Sequence, residues 1–99
     1  MSISATEIVV PAATGISTTD DTLSVELADG RSISVPLAWF PRLLHASAAE
    51  RAKWELIGHG TGIHWPLIEE DISIEGLIAG RPSTEGAKSL NRWLAGRGK

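Results

Sequence analysis

Leu23-Ser24-Val25-Glu26-Leu27-Ala28-Asp29-Gly30-Arg31-Ser32-Ile33-Ser34-Val35 is the stretch that decides the fold. On either side of Asp29-Gly30, apolar and polar residues alternate with the two-residue period of a strand that buries one face. Asp and Gly tolerate positive φ, so the pair predicts a type I′ turn joining two antiparallel strands. The alternation places Leu23, Val25, Leu27, Ile33 and Val35 on the buried side.

Working outward, Ile16–Thr19 reads as a weaker strand, and Thr6–Val10, β-branched and stopped by Pro11, as a short one. Beyond Pro36 the period changes. Leu37, Phe40, Leu43 and Leu44 fall at helical spacing, and Pro41 fits only in a first turn, so a helix runs from Ala38 or Pro41 to Ala46. Ser47-Ala48-Ala49-Glu50 is a capping box that opens a second short helix to about Trp54. Trp54–Ile57 and Ile63–Trp65, separated by Gly58-His59-Gly60-Thr61-Gly62 and ended by Pro66, predict another hairpin. Glu69-Glu70-Asp71 precedes a helix capped by Ser73, stapled by Ile72 and Leu77 and terminated by Gly80, and these acids suit a positive helix start. After Arg81-Pro82, Ser83 caps a last helix with Ala87, Leu90, Trp93 and Leu94 as an apolar stripe opposite Lys88, Arg92 and Arg97. The predicted class is α+β: a small antiparallel sheet built from hairpins, short helices on one face and a C-terminal helix. Residues 1–83 form the domain and 84–99 a basic amphipathic tail.

The chain has 99 residues, 42% of them hydrophobic and 21% charged, which fits one small globular domain. It has no cysteine, which excludes disulfide scaffolds, thiolate metal sites and cysteine nucleophiles, and makes a reducing cytoplasm the expected home. The start lacks a basic region and a long apolar run, so neither secretion nor membrane insertion is expected. The net charge of −3 conceals a split. Arg81, Lys88, Arg92, Arg97 and Lys99 face only Glu85 in the last nineteen residues, whereas the first eighty hold eleven acids and four bases. An acidic body with a basic tail can steer a charged partner.

His59 and His64 with Glu69, Glu70 and Asp71 are the only cluster with the residue types to bind a metal or move protons. Zinc ligands recur at i, i+2 on a strand or i, i+4 on a helix, and five residues across a glycine turn match neither. The plain alternative is an exposed loop tip for His59 and a packed strand position for His64. The Gly58–Gly62 run is no phosphate cradle, because a strand rather than a helix N-terminus follows it. No serine sits in a G-x-S-x-G elbow. Of four tryptophans, Trp39, Trp54 and Trp65 sit at element boundaries, where core packing is the default, and Trp93 on the basic helix is the best single candidate for a partner contact.

The string Asp29–Leu44, with Gly62-Ile63-His64-Trp65-Pro66 and Glu69–Leu77, resembles the bacterial family called domain of unknown function 2442, over about Thr6–Ser83. The family carries no established catalytic residues. The resemblance implies a small α+β fold. Because members are often encoded beside domain of unknown function 4160 in toxin–antitoxin-like pairs, it also implies an antitoxin-like or inhibitor-like role. Leu67 stands where members often carry Asp, which weighs against reading the acidic cluster as a ligand set of the family.

These readings predict a non-enzymatic protein-binding module with no cofactor, no metal and no catalytic residue. Trp65, Glu69, Glu70, Asp71, Glu75 and Trp93 are expected to meet a protein partner, such as a basic toxin or other effector encoded nearby, or a second copy of the chain. Two alternatives stay open. One is DNA-binding autoregulation through Lys88, Arg92, Arg97 and Lys99, although the acidic body repels phosphate. The other is a small metal-dependent or acid/base enzyme around His59, His64 and Asp71.

Overall fold

The structure, a computed structural model, describes residues 10–97. Two three-stranded antiparallel sheets carry the α+β architecture. The first is β1 (Ala13–Thr18), β2 (Thr22–Leu27) and β3 (Ser32–Pro36), in that order. The second is β4 (Glu55–Ile57), β5 (Gly62–Trp65) and β6 (Glu70–Ser73). Between the sheets lie two short helices, α1 (Pro41–His45) and α2 (Ala48–Arg51); α3 (Ile74–Ile78) follows β6, and α4 (Ala87–Arg97) closes the chain.

The decisive hairpin forms in the expected register, Leu23 opposite Val35 and Val25 opposite Ile33, with Leu23, Val25, Leu27 and Val35 buried. Its turn differs from the type I′ expectation. Leu27 N–H donates to Arg31 C=O, Gly30 N–H donates to Leu27 C=O, and only Gly30 has positive φ (95°). The loop therefore spans three residues, a tight turn followed by a left-handed glycine. Asp29, at the turn's third position, keeps a negative φ, and its carboxylate accepts from the Arg31 amide and guanidinium. The predicted strand Thr6–Val10 lies outside the described residues except for Val10, which is loop.

Helix signals that rest on local chemistry are realised. Pro41 opens α1, and both halves of the Ser47/Glu50 capping box are made. α2 ends at Arg51, short of Trp54, because the chain leaves toward β4. Ser73 caps α3, and Gly80 (φ 74°) ends it, with Gly80 N–H on Leu77 C=O and Arg81 N–H on Gly76 C=O.

Two readings are corrected. Glu69-Glu70-Asp71 is not a helix entrance: Glu70 and Asp71 begin β6, and Glu75 is the acid in the first turn of α3. Ser83 does not cap α4. It accepts from Glu85 N–H, and the first helical bond of α4 runs from Leu90 N–H to Gly86 C=O.

The core gathers Leu23, Leu37, Leu43, Ile63, Trp65, Ile68 and Ile74, all 0% exposed. Arg51 is the one buried charge among the described residues. It lies under α1 and donates to Leu43 C=O (2.9 Å), which also accepts from Ala46 N–H, and to Leu44 C=O (3.1 Å), two carbonyls at the helix end.

Candidate functional site

The site is built on the free side of β6. Ile74 N–H donates to Thr61 C=O, which extends the β5–β6 ladder and sets its phase, so that Ile72 and Glu70 bond across to Ile63 and Trp65. Asp71 N–H and C=O and Ser73 N–H therefore point away from β5, and among the described residues no backbone or side-chain group pairs with them. They open into a groove of about 400 Å³ lined by Glu70–Ser73, Phe40 and Gly76, with the linker Arg81–Thr84 as its far wall. The linker is held there by a hydrogen bond from Ser83 N–H to Trp39 C=O. A second hollow shares Glu70, Asp71, Ser83 and Thr84 and adds Arg42, Glu69, Glu85 and Ser89. Four acids and two bases line the combined surface.

Strand alternation separates these acids. Glu70 lies directly opposite Trp65 and shares the inner face with Ile72, so it is half-buried, and burial pushes its carboxyl up to about 7. The nearby Glu85 and Asp71 push it further in the same direction, and Arg42 pulls it back. Asp71 points outward and is exposed, opposite His64. His64 Nδ1 and Asp71 Oδ1 are 2.5 Å apart, and Glu55 on β4 completes the row on the other side of His64. Glu69 is exposed with φ 53°, and Glu75 is exposed on α3.

The groove's end is held by ion pairs. Arg42 Nε and Nη2 donate to the Glu85 carboxylate at 2.8–3.1 Å, and Nη1 donates to Ile68 C=O at 3.0 Å. That guanidinium holds the Glu85 carboxyl below its ordinary value. Trp93 lies half-buried between two cations, Arg42 at 5.2 Å and Arg97 at 4.5 Å from the ring centre. Arg97 also donates twice to Glu50 (2.7 and 2.8 Å), which together with the Ser47 amide brings that carboxyl down to about 2.

Several sequence-chosen residues find other places. Trp65 is 0% exposed and donates its Nε1–H to Arg51 C=O, so it cannot touch a partner. Trp93 keeps some surface but is already engaged within the chain. Arg97 is not opposite the apolar stripe: four residues from Trp93, it lies on the same helix face. Of the proposed nucleic-acid set, Lys88 and Arg92 are exposed, Arg97 is bound to Glu50, and Lys99 lies outside the described residues. His59 is exposed in the Gly58–Gly60 turn, with φ 57°. Among the described residues no group of three or more His, Asp or Glu is placed to hold a metal ion. His64 has an orienting carboxylate but, among the described residues, no hydroxyl bonded to it, so the pair is not assembled as a nucleophile-activating dyad. Arg42 and Glu85 join the site although nothing local in the sequence links positions 43 residues apart, and Arg81 joins it through the linker wall.

Residues 13–83 match the family described as "Protein of unknown function (DUF2442)". The chain belongs to this family. In this DUF2442 protein the matched segment ends at Ser83, so Glu85 and Ser89 of the second hollow lie beyond it. A solved protein of unknown function from Rhodospirillum rubrum is 28% identical, with a TM-score of 0.66 over 76% of this chain and 93% of that one. An uncharacterized protein from Chromobacterium violaceum, solved by NMR, has a TM-score of 0.64 at 20% identity, over 82% of this chain and 74% of its own. No curated protein matches the sequence. Among the described residues no helix is long and apolar enough to cross a membrane.

Glu70 yields a pH prediction. Its carboxyl titrates near 7 in the folded chain and near 4.5 unfolded, so the folded state holds the proton more tightly. The associated stability is fully present below about pH 4.5 and is lost as pH rises through about 7. Glu70→Gln is expected to remove that loss and, at pH 8, to stabilise the protein by about 1–2 kcal/mol after solvent screening. Thermal unfolding of both proteins from pH 4 to 8 checks this; parallel curves would contradict the inward placement of Glu70.

Proposed function

We propose that this DUF2442 protein is a non-enzymatic protein-binding module, antitoxin-like or inhibitor-like, which docks the acidic β6 groove on a basic surface of its partner. One observation carries this reading: a walled groove joins unpaired strand-edge amides and carbonyls to Glu69, Glu70, Asp71 and Glu85. Edge groups supply directional hydrogen bonds and the carboxylates supply steering, which together suit recognition of a protein. With the Arg42–Glu85 pair internally neutral, three acids, Glu69, Glu70 and Asp71, face one base, Arg81. A cationic partner is therefore favoured over phosphate, consistent with the acidic body of the chain.

The test is co-expression with the product of the adjacent gene. The expected result is a complex that survives purification and relief of any growth arrest that product causes. Glu69→Lys with Asp71→Lys, both exposed positions, is expected to weaken the complex about 100-fold by placing like charges together. Failure to form a complex would refute the antitoxin-like role, and equal affinity of the double variant would refute docking through the acidic groove.

A further inference from the structure

We infer that the partner element is an extended segment carrying lysine or arginine, added to β6 as a fourth strand of the second sheet. This rests on the protein-binding reading above and specifies what enters the groove. Asp71 offers both N–H and C=O and Ser73 offers N–H along one line, the row that an incoming strand requires. β6 spans about 13 Å at roughly 3.3 Å per residue, and a groove of about 400 Å³ runs beside it with Arg81–Thr84 as a second wall.

Charge selects the occupant. A second copy pairing antiparallel through its own β6, Asp71 bonding to Asp71, would set two carboxylates directly opposite, and like charges there are destabilising. A basic side chain opposite Asp71 meets a carboxylate on the outer face, and one opposite Glu70 meets a carboxylate on the inner face. The edge thus discourages self-association and remains open to a cationic strand.

The test uses the ¹⁵N-labelled full chain at pH 8, where Glu70 is ionised, and a blocked seven-residue peptide alternating valine and lysine. The expected result is saturable shifts of the Asp71 and Ser73 amide signals. In a strand, alternate residues turn their amides to opposite edges. N-methylation of every valine or of every lysine is therefore expected to weaken binding tenfold or more in one case, since each lost bond is worth roughly 3–10-fold, and to leave the other unchanged. Asp71→Asn, with an otherwise native spectrum, is expected to weaken binding about threefold. A peptide alternating valine and glutamate is expected to stay silent.

Absence of any shift with the lysine peptide overturns strand addition. Equal binding by both N-methylated forms also overturns it, while leaving acidic docking intact if the glutamate peptide is silent. Equal binding of the glutamate peptide overturns the charge selection on which the docking reading rests. Success here with no complex in the co-expression test refutes the antitoxin-like role alone.

Discussion

Trp65→Ala is expected to lower stability by about 3–5 kcal/mol, the range for emptying a fully buried aromatic site. Among the described residues Trp65 is the largest completely buried side chain, inside a core that also holds Ile63, Ile68 and Ile74. Its indole N–H bonds to Arg51 C=O at 3.1 Å, and Arg51 in turn answers the carbonyls that end α1. Truncation therefore opens a cavity and also orphans a buried carbonyl beside the one buried charge among the described residues. A domain of this size holds only about 5–15 kcal/mol in all, so a large share of its stability is at stake. At roughly 4–8 °C per kcal/mol, the midpoint is expected to fall by about 15–30 °C in a calorimetric or circular-dichroism scan. Trp65→Phe keeps most of the volume and loses the hydrogen bond, so a fall of about 1–3 kcal/mol is expected. An unchanged midpoint for Trp65→Ala would mean that the indole is not in the core.

What could be read from the sequence was what neighbouring residues decide among themselves. The Leu23–Val35 alternation, the Ser47/Glu50 box, the Ser73 cap and Gly80 each settle a structure within a few positions, and each is found in place. β6 was hidden because its first two residues, Glu70 and Asp71, are poor strand formers and because Glu70 occupies an inward position where the period calls for an apolar residue. The same departure shapes the site, since it adds an inward carboxylate beside the open strand edge to the exposed Glu69 and Asp71. Ile63-His64-Trp65 already implied that Trp65 faces inward with Ile63, so its choice as a partner contact ran against the sequence's own alternation. The wall contributed by Arg81–Glu85 depends on Arg42 meeting Glu85 and Ser83 meeting Trp39, both across some forty residues, and local pattern carries no trace of either.

Arg42→Ala is expected to release α4. The Arg42 and Glu85 side chains are only 15% and 12% exposed, so removing the cation leaves a nearly buried carboxylate without a counter-charge, a loss of roughly 2–4 kcal/mol. It also orphans Ile68 C=O and strips one of the two cations from Trp93. α4 has no fully buried residue; it is attached by Trp93, half-buried against the core, by these polar contacts and by the Arg97–Glu50 pair, so undocking it rehydrates Glu85 at less cost than holding it in place. An eleven-residue helix without a docking surface is marginal in water, so release is expected to melt it. The variant is therefore expected to show amide exchange in 87–97 accelerated at least tenfold and red-shifted Trp93 emission, while Leu23, Val25 and Ile63 keep wild-type protection. Release also carries away the Glu85 charge, which raises the Glu70 carboxyl more than Arg42 lowers it, so that group is expected to titrate at lower pH in the variant. Retention of native exchange rates across α4 would show that Trp93 and Arg97 suffice to hold the helix, and that the Arg42–Glu85 pair is not its latch.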